Sequence, residues 1–194
     1  MKPLLPEEQL ILLSRVLSGV VKGRRVAIDG GAHFGDWCEV MAREFDTVHA
    51  FEPDPDTFAV LSRRMSGKQN VTLHMQALFD CEQPMELRWP SKREGNTRSR
   101  RVAPARKGTT QGVDIDGLKL DACDLIKVDL EGCEYHALKG ARQTIERFKP
   151  VLIVEFDKYG KFVGVSEDDL SKLIAAYGYR EIMTSRPDKV FVPC

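Results

Sequence analysis

Two segments a hundred residues apart restrict this 194-residue chain more than any other feature: Val26-Ala-Ile-Asp29-Gly-Gly-Ala-His-Phe-Gly35 and Leu125-Ile-Lys-Val-Asp129-Leu-Glu-Gly-Cys-Glu134. Each is a short apolar run that ends in an acid and passes through glycine into helix-like sequence, which reads as strand, tight turn, helix. A third run, Thr47-Val-His-Ala-Phe51, ends in Glu52-Pro53. Strands near 25–29, 47–51 and 70–75, with helices near 35–44 and 54–65 between them, predict the βαβ alternation of a parallel sheet with right-handed crossovers. In such an open α/β sheet a ligand lies across the carboxyl ends of the strands.

The first turn narrows the ligand. Its glycines fall at 30, 31 and 35, and Ala32 stands where the G-x-G-x-x-G order of nicotinamide sites needs glycine. Glycine after a strand lets backbone approach a ligand, and a helix starting near Phe34 aims its free N–H groups at a carboxylate or phosphate. That suits an amino-acid tail as well as a pyrophosphate. Glu52 ends the next strand at the distance onward where ribose-binding acids occur. Asp29, Gly30, Gly31, Ala32, His33, Gly35, Glu52 and Pro53 are therefore the candidate cofactor contacts, with Phe51, Pro53 and Phe79 as apolar walls for a base.

Further along, a strand is expected near 85–89 and another near Gly112 to Ile115, then Cys123 to Asp129, a helix from about Glu134 to Phe148, and the strand Val151 to Phe156. A helix near Glu167 to Tyr177 follows, and Tyr179–Thr184 and Lys189–Val192 read as an antiparallel hairpin turned at Ser185-Arg-Pro-Asp188. Residues 7–21 carry apolar positions at helical spacing and predict an amphipathic leading helix, in an N-terminal cap over 1–24, that covers the sheet or the site. Length allows one α/β domain over 1–194. No apolar stretch reaches a membrane span, and Met1-Lys-Pro-Leu-Leu-Pro-Glu-Glu places acids where a signal peptide continues apolar, so a soluble cytoplasmic protein without membrane partners is expected. The five cysteines include no C-x-x-C pair and read as reduced thiols.

Net charge is zero but segregated: Arg88 to Lys107 holds eight basic residues against one acid, leaving the remainder at minus seven. With Pro, Gly and Ser and no apolar period, 90–111 reads as a basic mobile loop. Such a loop would recruit an anionic acceptor or track nucleic-acid phosphates. Neutral total charge and the lack of aromatic residues among the arginines beyond Trp89 weigh against strong nucleic-acid binding.

Asp-x-Gly-x-x-x-Gly from Asp29, Ala50-Phe-Glu-Pro-Asp54, Ile126-Lys-Val-Asp-Leu-Glu-Gly-Cys-Glu134, Ala137-Leu-Lys-Gly-Ala141 and Pro150-Val-Leu-Ile-Val-Glu155 occur in that order. This succession closely resembles the FkbM family of S-adenosylmethionine-dependent methyltransferases, from about Val26 to Glu155. His33 departs from a frequent Asn and Cys133 from a frequent Ala. The resemblance implies a class I methyltransferase fold: a seven-stranded, mostly parallel, Rossmann-like sheet flanked by helices and closed by the C-terminal hairpin. It implies S-adenosyl-L-methionine as cofactor, an adenine contact at Ala77, and O-methylation of a hydroxyl on a sugar, polysaccharide or natural product.

Methyl transfer from a sulfonium needs in-line placement of the nucleophile, and deprotonation where that nucleophile is a hydroxyl. Asp129 and Glu131, at the end of a buried strand, are the first candidates, with Asp129 central to both cofactor and acceptor. Glu134 is a substrate-side acid or the N-terminal partner of the next helix, and His136 is a base suited to neutral pH. Glu155, on the neighbouring strand, forms with Asp129 and Asp157 a candidate oxygen-rich Mg²⁺ site. Lys127 points to the opposite sheet face from its neighbours; with the acids it resembles part of the 2′-O-ribose methyltransferase tetrad, without a second lysine. A nucleic-acid ribose methyltransferase and a non-catalytic cofactor-binding module are the alternatives, and a nicotinamide oxidoreductase the remotest.

Overall fold

The computed structural model describes residues 7–88 and 101–194. Seven strands and the three helices of the first half build the main layer: α1 (Glu7–Gly19), β1 (Val26–Gly30), α2 (Asp36–Glu44), β2 (Thr47–Phe51), α3 (Pro55–Arg64), β3 (Val71–His74), β8 (Leu125–Val128), β9 (Val151–Glu155) and the hairpin of β10 (Tyr179–Ser185) with β11 (Asp188–Pro193). They form a seven-stranded sheet in the order β10-β11-β9-β8-β1-β2-β3. Every pairing from β9 to β3 is parallel, and β11 runs antiparallel to both β9 and β10. The α/β architecture, the mostly parallel sheet and the closing hairpin are those expected from the sequence.

Burial on both faces explains why β8 and β9 are continuous apolar runs. Alternate residues serve opposite layers. Ala27, Val48, Ala50, Leu125 and Ile153 pack with Val16, Trp37, Met41 and Leu61 from α1, α2 and α3. Ile28, Phe51, Ile126, Val128, Leu152 and Val154 pack on the other face, where α4 (Glu134–Lys139), α5 (Arg142–Phe148) and α6 (Glu167–Ala176) bring Ala137, Leu138, Ile145, Leu170 and Ile174. Each fully buried aliphatic side chain here contributes about 1.5–3 kcal/mol. Lys127 shares the face of Leu125, and its strand partner across β1 is Asp29. Thus the charged pair was built into the register.

The helix expected over 134–148 is two helices. They part at Gly140, where an added Cβ would lie 2.3 Å from Phe79 O, so the chain bends where it meets another backbone. Asp116 receives the new N-terminus, accepting N–H groups of Gln143 at 2.9 Å and Thr144 at 2.8 Å. α1 packs on the sheet through Val16, Leu17 and Val21. Arg24 donates to the carbonyls of Leu17 and Val21 at its C-terminal end.

The stretch expected as a loop over 90–111 contains structure. A second sheet, β4-β7-β5-β6, joins β4 (Ala77–Leu78), β7 (Thr110–Val113), β5 (Gln83–Arg88) and β6 (Arg101–Pro104). β6 lies inside the supposed loop, antiparallel to β5 with Arg88 opposite Arg101. β5 and β7 lie close to the strands expected near 85–89 and 112–115, whereas β4 and β6 carry too weak an alternation to be read from sequence. The mobility expectation for 90–100 lies outside the described residues. Phe79, Met85, Val102 and Cys133 bury the small sheet against the start of α4. No helix among the described residues is long and apolar enough to cross a membrane.

Candidate active site

A cleft of about 270 Å³ opens at the carboxyl ends of β1, β2 and β8. The turn after β1 forms one wall. Gly31 takes φ +74°, and a Cβ there would sit 1.8 Å from Asp129 O, so only glycine allows the turns after β1 and β8 to touch. Gly31 and Ala32 donate their N–H groups to Phe51 O at 3.1 and 2.9 Å. His33, also left-handed at φ 49°, donates its backbone N–H to Glu52 Oε2 at 3.0 Å. Asp54 N–H donates to Glu52 Oε1 at 2.9 Å. Each Glu52 oxygen therefore has one backbone donor and a remaining lone pair. Burial pushes the Glu52 carboxyl up to about 7 despite those donors.

The opposite wall is acidic. Asp129, Leu130, Glu131 and Glu155 line the cleft. Glu131 is held at φ 54° and Gly132 at φ 112°, a left-handed pair that swings the turn away from β8. An observed non-glycine residue in this region is the kind of strain that clusters at functional sites. Burial, and then the charges of Asp129 and Asp157, push the Glu131 carboxyl up to about 7. Glu155 rises further, again from burial first and Asp129 second; the two carboxyls are close enough to hydrogen-bond, which requires a proton on one of them. Between the walls, Phe51, Ala77, Leu78, Leu87 and Val102 supply apolar surface.

Of the residues expected to contact a cofactor, Gly31, Ala32, His33, Glu52, Pro53, Ala77 and Asp129 line the cleft. Asp29, Gly30 and Gly35 do not. Asp29 is fully buried and paired with Lys127 Nζ at 3.3 Å. Gly30 packs under Leu78, and Gly35 is the N-cap of α2 beside Leu61. Of the expected catalytic residues, Asp129 and Glu131 line the cleft, whereas Glu134 and His136 face elsewhere. Glu134 turns back to accept N–H groups from Leu130 at 2.6 Å and Gly132 at 3.2 Å, so its role is to brace the turn. His136 Nδ1 meets Asp80 Oδ2 at 3.0 Å and its ring stacks on Phe79, which removes Phe79 from the cleft as well.

Sequence reasoning missed Trp37 and Lys127 as lining residues, along with Leu87 and Val102 from the small sheet. Lys127 alone had a readable signal, its alignment with Asp29 across two strand ends. The expected Mg²⁺ site at Asp129 and Glu155 does not fit the metal. Among the described residues no group of three or more histidine, cysteine or acidic side chains is arranged to hold one.

The sequence profile of the Methyltransferase FkbM domain matches residues 29–181. No curated protein matches. Among solved structures, the methyltransferase FkbM from Methylobacillus flagellatus KT superposes with a TM-score of 0.57 at 24% identity over 90% of this chain, which spans 45% of that chain's length. An rRNA methylase from Streptococcus thermophilus superposes at 0.55, with 12% identity over 94% of this chain and 93% of its own. A Streptococcus mutans chain in complex with SAH superposes at 0.55, with 10% identity over 96% of this chain and 97% of its own. These likenesses establish the class I methyltransferase fold.

Proposed function

The chain belongs to the FkbM methyltransferase family, and from that premise we propose that it transfers a methyl group from S-adenosylmethionine to a hydroxyl of a sugar, polysaccharide or natural product. The observation that carries the reading is one cleft with a buried carboxylate, Glu52, beyond the glycine turn and a second acidic group, Asp129 and Glu131, across from it. Glu52 accepts the two ribose hydroxyls on its remaining lone pairs. The close-set turn of Gly31 and Ala32 leaves room for the amino-acid tail, and Phe51, Ala77 and Leu78 offer apolar surface to adenine. S-adenosylmethionine, when bound, supplies an electrophilic methyl group.

This chain's residues supply placement and a proton acceptor. Glu131 lines the acceptor side with its pKa at about 7, the value at which a carboxylate is both available and basic enough near neutrality. Asp129, fixed from behind by Lys127 Nζ at 3.6 Å, orients the hydroxyl. Even with one proton on the Asp129 and Glu155 pair, that pair and the ionised form of Glu131 leave this side negative, which disfavours a phosphodiester and favours a neutral hydroxyl acceptor. No step runs through Mg²⁺.

The test is methyl transfer from labelled S-adenosylmethionine to a panel of glycans, hydroxylated natural products and RNA. Label is expected on a hydroxyl of the first two classes, at a rate rising between about pH 6 and 8. Glu131→Gln should lower the rate at least tenfold while S-adenosylhomocysteine affinity is kept. Label on RNA, or a rate indifferent to Glu131, would contradict the reading.

A further inference from the structure

Lys127 is 2% exposed, yet its ammonium reaches the cleft. It donates to Gly30 O at 3.2 Å and Gly31 O at 3.0 Å and lies 3.3 Å from Asp29 Oδ1. An ammonium has three N–H donors; two go to these carbonyls, and Asp29 faces it at ion-pair distance without a hydrogen bond. Asp129 Oδ2, at 3.6 Å, is held by charge alone. Behind the ammonium lies the Trp37 ring, 5.9 Å from Nζ. Neither Asp29 oxygen has a hydrogen-bond donor of its own among the described residues, so Lys127 is the countercharge that permits a carboxylate to be fully buried there.

The partners of Lys127 belong to both halves of the site. Its carbonyl contacts fix the peptides of Gly30 and Gly31, immediately before the Ala32 and His33 N–H groups that bind Phe51 O and Glu52 Oε2. Its charge fixes Asp129 on the acceptor side. We propose that Lys127 is the positioning residue of this cleft: it sets the glycine turn and Asp129 in one frame, and Asp29 acts on the cofactor only through it. Buried, with two of its donors held by main-chain carbonyls and its charge faced by Asp29 and Asp129, Lys127 acts by positioning the groups around it. This inference rests on the cofactor reading above.

The experiment compares wild type, Lys127→Met and the double variant Asp29→Asn/Lys127→Met by thermal unfolding and by calorimetric titration with S-adenosylhomocysteine. Lys127→Met leaves Asp29 buried without a partner and is expected to lose both stability and binding. The double variant removes both charges, so its melting temperature should recover toward wild type while its affinity stays at least tenfold weaker. A merely structural pair would recover both together, and that result, or a double variant that cannot fold, overturns the proposal. Wild type that fails to bind S-adenosylhomocysteine would overturn the cofactor reading and this proposal with it; wild-type binding with an unaffected double variant overturns the proposal alone.

Discussion

Gly31→Ala is the sharpest probe at the scale of single residues. The new Cβ meets the Asp129 carbonyl at 1.8 Å and faces a left-handed backbone, φ +74°. The conformational penalty alone is about 1–2 kcal/mol, and the overlap adds to it, so the turns after β1 and β8 must separate. Loss of S-adenosylhomocysteine binding with a lowered melting temperature is expected; unaltered binding would mean that the turn does not shape the pocket. Glu52 carries a pH signature. Its carboxyl sits at about 7 in the free protein, and the ribose hydroxyls bind the ionised form. Affinity should therefore fall as pH drops below 7, with about one proton released on binding near pH 6, read from the dependence of titration heat on buffer. Gly31, Glu52, Asp129 and Glu131 were legible because each ends or follows an apolar run. Glu134 and His136 were not, because nothing in the spacing tells whether a side chain in the first turn of a helix looks into the cleft or back onto its own loop.

Asp116 shows how an element boundary depends on distant contacts. It lies in a 3-10 turn over Asp116–Leu118 yet accepts N–H groups from Gln143 and Thr144 and the Thr144 hydroxyl, serving as the cap of α5. Asp116→Ala should destabilise the fold by about 1–2 kcal/mol, the ordinary worth of a lost cap, measured by denaturant unfolding, and leave cofactor affinity intact. No change in stability would show that water replaces the carboxylate at no cost. This break was invisible in sequence because Gly140 inside a helical pattern is also tolerated as plain helix. Its cause is the approach of Phe79 and Asp114 from elements far along the chain. Half of the small sheet escaped for a related reason: β5 and β7 lie close to expected strands, but β4 is two residues long and β6 begins in a run of arginines. By contrast, β8 and β9 at the centre of the large sheet announced themselves through burial on both faces.

For the molecule as a whole, burial of acids around one cleft predicts an unusual pH response. Glu52 and Glu131 are raised to about 7 and Glu134 to about 8, from 4.5. Between about pH 4.5 and 8 the native state thus holds more protons than the unfolded chain, so stability falls as pH rises through that window. The melting temperature should be higher at pH 5.5 than at 8. Glu134→Gln, which keeps an oxygen for Leu130 and Gly132, should flatten that slope; a slope of opposite sign would refute the burial account. The positions of the parallel strands and their βαβ alternation followed from the apolar runs, and the seven-stranded sheet from the family resemblance; the strand order is seen in the structure alone. The acidic wall of the cleft followed only from the loops, where periodicity is silent. The most direct measurement of the central claim is calorimetric titration of wild type and Glu52→Ala with S-adenosylmethionine and S-adenosylhomocysteine. Binding at one site per chain is expected, weakened in Glu52→Ala by about 2 kcal/mol or more, the size of charged hydrogen bonds. Absence of binding in wild type, or affinity untouched by Glu52→Ala, would contradict it.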